Sequence, residues 1–215
     1  MSVWQERVAA TDWDAVRTDL ESVGGALTGP LVTPAEAAGL AGPDLPRRRV
    51  TRYTLLDAAE AGLAEIASRS ARYDALVLLG MPVRVNAKLY NCAAAVASGT
   101  VLGIVPKRYL PTYNEFYEGR HFTAGTTDAA MIDIAGQVDV PFGMRQLFAC
   151  DDLPSLVVAV EICEDVWVPI PPSSFAALAG ATVLVNLSAS NVTVGKADYR
   201  HALVSQQSAR CLAAY

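Results

Sequence analysis

Apolar residues in this chain recur in two rhythms that alternate along its length. Trp13, Val16, Leu20 and Val23 lie at helical spacing and stop at Gly24-Gly25, which predicts a short helix. Thr33 before Pro34, with Glu36 following, has the N-cap and first-turn chemistry of a second short helix, and Gly42-Pro43 through Arg47-Arg48-Arg49 reads as a linker. From Leu55 the apolar positions Leu56, Ala59, Leu63 and Ile66 return to helical spacing, and DALVLLGMPVRV follows as a buried strand continuing into an edge. LYNCAAAVASGTVLGIVPK is two β-rich runs joined at Ser98-Gly99, a hairpin signal. A polar, aromatic loop, YLPTYNEFYEGRHFTAG, separates it from AMIDIAG and VDVPFGM, which pattern as a second hairpin. LVVAVEI is a buried strand, VPIPPSS a loop, SSFAALAG a short helix capped by Gly180, and TVLVNLS another buried strand. Residues 197–215 are helical by pattern to their end. Strands alternating with helices, with hairpins inserted, predict an α/β layered sandwich over 51–215, preceded by a separate helical segment and linker over 1–50.

Composition narrows the function classes. The 215 residues are 52% hydrophobic, enough for a sizeable core. A net charge of −5 without a basic stripe argues against nucleic acid and favours small, neutral or cationic partners. Apolar runs break long before the ~20 residues of a membrane span, and MSVWQERVAATDWD lacks the basic-then-apolar order of a signal peptide. Cys92, Cys150, Cys163 and Cys211 are scattered, with no CxxC pair and no ligand spacing to His121 or His201, which fits a reducing, cytoplasmic setting and no metal.

Polar residues that abruptly end buried strands are where chemistry sits in such sheets. Three ends stand out: Lys107 in VLGIVPKRYLP, Cys163 in VAVEICEDVW, and Asn186, Ser188 and Ser190 in TVLVNLSASN. Glu161, Glu164 and Asp165 crowd the cysteine in sequence and favour the protonated thiol, whereas a lysine arriving from another strand favours the thiolate. Strand alternation places Glu161 and Cys163 on one face and Ile162 and Glu164 on the other. Each residue also has a plain reading: Cys163 as a small buried hydrophobe, Lys107 as a solvated lysine, Glu115 and Glu118 as surface charges. Cys92, Cys150 and Cys211 read as structural.

The segments IVPKRYLPTYNEFYEGRHFTAG, VAVEICEDVWVPIPPSS and AGATVLVNLSASNVTVGKADYRHALVSQQSARCLAAY resemble, in order, the nitrilase or carbon-nitrogen hydrolase superfamily, and within it the glutaminase domains of glutamine-dependent NAD⁺ synthetases. The resemblance runs from about Tyr53 to Tyr215. It implies an αββα four-layer sandwich, incomplete here, and a Glu-Lys-Cys triad acting on L-glutamine. By motif, Cys163 is the nucleophile that forms a thioester and releases ammonia, Lys107 stabilises the oxyanion and thiolate, and Glu118 orients the lysine. Tyr113 and Ser190 match positions that recognise the amino-acid end of the substrate, with Glu164 and Trp167 lining the same pocket. ATP and the NAD precursor belong to a synthetase domain whose SGGxDS loop is absent here, so no cofactor is expected. The resemblance also implies a homo-oligomer or a synthetase partner.

One family feature is missing. The general-base glutamate of an FPEL-like phrase has no counterpart, because Glu36 lies at a helix start and Glu60 and Glu65 lie within a helix. Losing a general base removes roughly 10²–10⁴-fold in rate. DWDAVRTDLESVGGALTGPLVTPAEAAGL is similar to the start of a 2-oxoglutarate/Fe(II) prolyl-hydroxylase-like oxygenase over about the first 45 residues, but no HxD supplies an iron triad. The expectation is a composite or truncated reading frame, with three functional readings: an impaired glutaminase, a non-catalytic fragment or interaction module of the same fold, and an oxygenase remnant.

Overall fold

The computed structural model describes residues 52–191 and 193–215, together with Ala10, Asp12, Asp14, Ala15 and Thr18. The chain divides between Val50 and Thr51 into two units. In the first, Asp12 Oδ1 accepts the N–H of Ala15 at 3.0 Å, an N-cap contact where the first helix is expected. The helix at Thr33, the linker over 42–49 and most of the oxygenase-like stretch lie outside the described residues.

The second unit opens with α1 (Arg52–Ser70). Its inward stripe is Leu56, Ala59, Leu63, Ala67 and Ser70, whereas Ile66 is exposed. The expected stripe thus drifts by one residue after Leu63, since Ala67 sits one turn beyond Leu63 on the buried face. Strands β1 (Val77–Val85), β2 (Lys88–Ala97), β3 (Thr100–Pro106), β4 (Ala130–Ile134) and β5 (Gln137–Phe142) form a five-stranded sheet ordered β1-β2-β3-β5-β4. Asn86, at φ +54°, turns β1 back into β2, so the run expected to continue to an edge is the sheet's edge strand and also half of a hairpin. The hairpins at Ser98-Gly99 (φ +49° and +86°) and Ala135-Gly136 (φ +55° and +74°) have the left-handed central residues whose twist matches paired strands.

The second sheet is small, with β6 (Phe148–Ala149) antiparallel to β7 (Val157–Ile162), and β8 (Val183–Leu187) parallel to β7. Helices α2 (Pro172–Leu178) and α3 (Lys196–Cys211) follow β7 and β8. Alternation along β2 explains the layering. Cys92, Ala94 and Val96 face Leu63 and Ala67 of α1, while Ala93 and Ala95 face Phe148, Val158, Val160 and Ile162. Ala159 and Leu184 face the other way, toward Ala176 of α2 and Ala213. Helix, sheet, sheet and helix thus stack as an αββα sandwich. β2 is buried on both faces, and its small side chains let both neighbours approach closely.

α3 stops at Cys211 rather than running to the last residue. Leu212 takes a left-handed conformation (φ +50°) as its cap, and Ala214 then pairs in parallel with Val183, accepting the N–H of Leu184 at 2.7 Å. The apolar pattern of LAAY is shared by a helix end and a strand start, and pairing with β8 decides between them. Among the described residues, no helix is long and apolar enough to cross a membrane.

Leu63→Ala, emptying the contact between α1 and the large sheet, is expected to lower unfolding free energy by about 2–5 kcal/mol in denaturant titrations.

Candidate functional site

Lys107 follows the last residue of β3, and its backbone is gripped on both sides. Its N–H donates to Asn91 O at 2.8 Å and its carbonyl accepts from Gly125 at 2.8 Å. A Cβ on Gly125 would lie 2.8 Å from Pro106 O, so only glycine permits this approach. The lysine is 1% exposed, and its Nζ pairs with Glu118 Oε2 at 2.7 Å. An unpaired ammonium at that depth would be strongly disfavoured, so the buried cation depends on Glu118. Glu118 begins the one-turn helix Glu118–Arg120 in the aromatic loop, and its own N–H donates to Pro111 O at 3.1 Å. The plain readings of Lys107 and Glu118 as surface charges are therefore replaced by an ion pair.

Cys163 comes immediately after β7, with a left-handed backbone (φ +47°) that opens the short helix Cys163–Trp167. Non-glycine residues adopt this region at a cost and need surroundings that enforce it. Asn186, opposite Glu161 on β8, supplies them. Its Oδ1 accepts the Cys163 N–H at 2.9 Å, and its Nδ2 donates to the Cys163 carbonyl at 3.3 Å. The turn also ends strand alternation. Cys163 packs with Ile162 against the cluster between the sheets, whereas Glu161 lies on the helix side, accepting from Ser173 N–H at 2.8 Å and from the Tyr215 hydroxyl. The expectation that Glu161 and Cys163 share a face therefore fails, because the strand stops one residue before the cysteine.

The other two carboxylates are also engaged. Glu164 accepts the Tyr113 hydroxyl at 2.8 and 2.9 Å on its two oxygens. Desolvation first, and then this bond, push the phenol up to about 12, so Tyr113 remains a donor at neutral pH. Asp165 is buried and reaches back to its own strand and across to the lysine segment. Oδ2 accepts Ile162 N–H at 3.1 Å, while Oδ1 accepts Arg108 N–H at 3.1 Å and Tyr109 N–H at 2.8 Å. Burial raises its carboxyl to about 7, against the lowering effect of the Tyr109 and Ile162 N–H groups; nearby Glu161 adds to the rise and Lys107 opposes it. The thiol is thus surrounded by carboxylates in sequence that are each committed elsewhere in space.

At the rim, the Asn191 side-chain amide donates to Glu115 and its carbonyl accepts from Lys196, joining the loops after β3 and β8 beside half-buried Ser190. Trp167 stacks on Tyr199, with ring centroids 5.5 Å apart, and Lys196 Nζ lies 5.5 Å from the indole. Trp167 and Asn186 wall a cleft of about 500 Å³ that also includes Ser188, Arg200 and Tyr215. The structure therefore joins Lys107 to Glu118 and Tyr113 to Glu164, and sets Trp167 against α3. His121 and His201 are exposed on a loop and on α3. Cys92 is fully buried, and burial pushes its thiol far up; Cys211 is raised for the same reason.

Asn186, Asp165 and Gly125 were given no role by sequence reasoning. Asn186 was visible only as a polar strand end. Asp165 lies three residues beyond Ile162, the spacing at which a side chain returns to the N-terminal N–H of a helix.

Residues 33–215 match the model of the carbon-nitrogen hydrolase family, from a point inside the segment read as foreign to that fold. A glutamine-dependent NAD(+) synthetase of Mycobacterium tuberculosis is 51% identical over 162 residues, covering 75% of this chain and 24% of that protein. The human protein of the same name is 30% identical over 152 residues, covering 66% of this chain and 21% of that protein. The chain thus spans about a quarter of the length of these curated relatives. The crystal structure of a glutamine-dependent NAD(+) synthetase from Cytophaga hutchinsonii superposes with a TM-score of 0.64 at 27% identity, over 93% of this chain and 32% of that one. A carbon-nitrogen hydrolase structure from Helicobacter pylori shares the fold, with a TM-score of 0.51 at 17% identity over 73% of this chain and 49% of that one.

Asn186→Ala leaves the N–H and carbonyl of Cys163 without their partner and is expected to cost about 1–3 kcal/mol in chemical denaturation. The raised carboxyl of Asp165 gives a second expectation. The folded chain keeps this proton over a range, from about 4 to about 7, in which the unfolded chain has lost it. Its contribution to stability is therefore full below about pH 4, falls as pH rises, and levels off above about 7. Unfolding free energy measured against pH should show this decline in the native chain and a flatter curve in Asp165→Asn.

Proposed function

Because this chain belongs to the carbon-nitrogen hydrolase family, we propose that its site is that of a glutamine amidohydrolase, the ammonia-releasing part of an NAD⁺ synthetase, working at low turnover. The observation that carries this reading is the buried Lys107–Glu118 pair on a segment hydrogen-bonded to the Cys163 turn. Cys163 Sγ, as thiolate, attacks the side-chain amide carbon of L-glutamine, and the carbonyl oxygen takes up negative charge. Lys107 is the cation held for that oxyanion, with Glu118 fixing its ammonium. The Cys163 N–H is committed to Asn186 and does not serve as an oxyanion donor. Collapse of the tetrahedral adduct breaks the carbon–nitrogen bond. The amine leaves as ammonia after gaining a proton, and water then hydrolyses the thioester to glutamate.

Tyr113, Glu164, Ser190 and Trp167 are assigned to substrate binding. The Tyr113–Glu164 pair, a donor and an anion at the rim, suits an α-ammonium and α-carboxylate. The proton taken from the thiol and given to the amine needs a general base. Among the described carboxylates of α1, Glu60 accepts the Ala135 N–H at 3.0 Å and Glu65 pairs with Arg69 at 2.6 Å. Neither is assigned the role of general base, and a non-catalytic module of the same fold is kept as the second reading. ATP and NAD precursor would act in a synthetase partner that uses the ammonia, in the cytoplasm.

A diazoketone analogue of glutamine should alkylate Cys163 in preference to Cys150, as read by peptide mass spectrometry, and glutamine should block it. Ammonia release should exceed that of Cys163→Ala. Labelling of Cys150 alone, with release equal to the Cys163→Ala control, would leave only the non-catalytic reading.

A further inference from the structure

Among the described residues, Asp165 is the one carboxylate that accepts hydrogen bonds from both strand ends of the site. It accepts N–H groups from Arg108 and Tyr109, directly after Lys107, and from Ile162, directly before Cys163. The donors come from different sheets, since Lys107 follows β3 of the large sheet and Ile162 ends β7 of the small one. Among the described residues, Val105 of β3 otherwise packs against Val158, Val160 and Ile162 of β7, and Gln146, two residues before β6, donates to Ile104 O at 2.8 Å; neither contact reaches the strand ends that carry Lys107 and Cys163. Hydrogen bonds of 2.8–3.1 Å to a single rigid carboxylate do reach both ends.

We propose that Asp165 is a positioning residue that sets the register of Lys107 against Cys163 by tying the two segments through their backbones. This rests on the glutaminase reading only for the identity of the reaction; the tie itself concerns thiol and ammonium. Burying a carboxylate is unfavourable unless it is fully hydrogen-bonded, and a purely structural filler at this depth would be apolar. Its 2% exposure and its carboxyl's rise toward neutrality show how far the group has been removed from water to serve these three donors. Facing it are Glu161 from β7 and Lys107 from the β3 end, the first opposing its charge and the second favouring it.

The test is a double-mutant cycle on Cys163 alkylation by iodoacetamide, read by peptide mass spectrometry at fixed pH, with Cys150 in the same chain as the reference. Asp165→Asn, near-isosteric but unable to accept from all three donors, should slow Cys163 alkylation about tenfold or more and leave Cys150 unchanged. Lys107→Met should slow it comparably. Because Asp165 acts through the lysine, Asp165→Asn should add less than about twofold in the Lys107→Met background. Multiplying effects in the double variant, or an unchanged rate in folded Asp165→Asn, overturns the proposal. If Asp165→Asn does not fold, Asp165→Glu carries the same cycle, since it keeps the charge and lengthens the tie by one methylene. Alkylation needs no glutamine turnover. A native chain that is inactive on glutamine but shows the predicted cycle rejects the glutaminase reading and keeps the positioning role.

Discussion

A buried ammonium and a strained cysteine are each unstable arrangements alone, and the geometry of this molecule turns on the hydrogen bonds that make them permissible. Lys107 Nζ, buried out of water, is paired with Glu118 at 2.7 Å. Cys163 stays at a positive φ because Asn186 holds both polar groups of its backbone. Asp165 then joins the two through three backbone N–H groups. Remove these ties and the sandwich still has an apolar interior, but the hydrogen bonds that join the end of β3 to the end of β7 are gone.

The layers serve that meeting point. The alanine and cysteine positions of β2 bring α1 and the small sheet close on opposite faces. β3 and β7 then deliver Lys107 and Cys163 from separate sheets, and β8 delivers Asn186 beside β7 in parallel register. Gly125 has no room for a side chain next to Pro106, so the aromatic loop can fold back and present Glu118 to the lysine. Fold and candidate site therefore share residues: the groups at the ends of β3, β7 and β8 are the ones tied together there.

Much of the second unit was legible in the sequence because its signals are local. β-rich and buried apolar runs marked the strands, Ser98-Gly99 marked a turn, AMIDIAG and VDVPFGM patterned as a second hairpin, and the order of elements gave an α/β layered sandwich, whose αββα form the resemblance implied. The resemblance named Cys163, Lys107 and Glu118 by motif, and the Lys107–Glu118 pair is present. What escaped depends on long-range partners. The face of Cys163 was misread because the left-handed turn that ends alternation is enforced by Asn186, 23 residues away. Asp165 looked like one more acid beside a thiol because its partners Arg108 and Tyr109 lie 57 and 56 residues earlier. The end of α3 was overrun because the competing pairing partner, Val183, is on another strand.

This geometry stands on the ties at the strand ends, and amide hydrogen exchange reads them one by one. The N–H groups of Arg108, Tyr109, Ile162 and Cys163 should exchange together and as slowly as those within β7, opening only when the sandwich opens. Exchange of Arg108, Tyr109 and Cys163 at the rate of the rim residues 113–115, with β7 still protected, would show that the two strand ends are not held to each other and would contradict it.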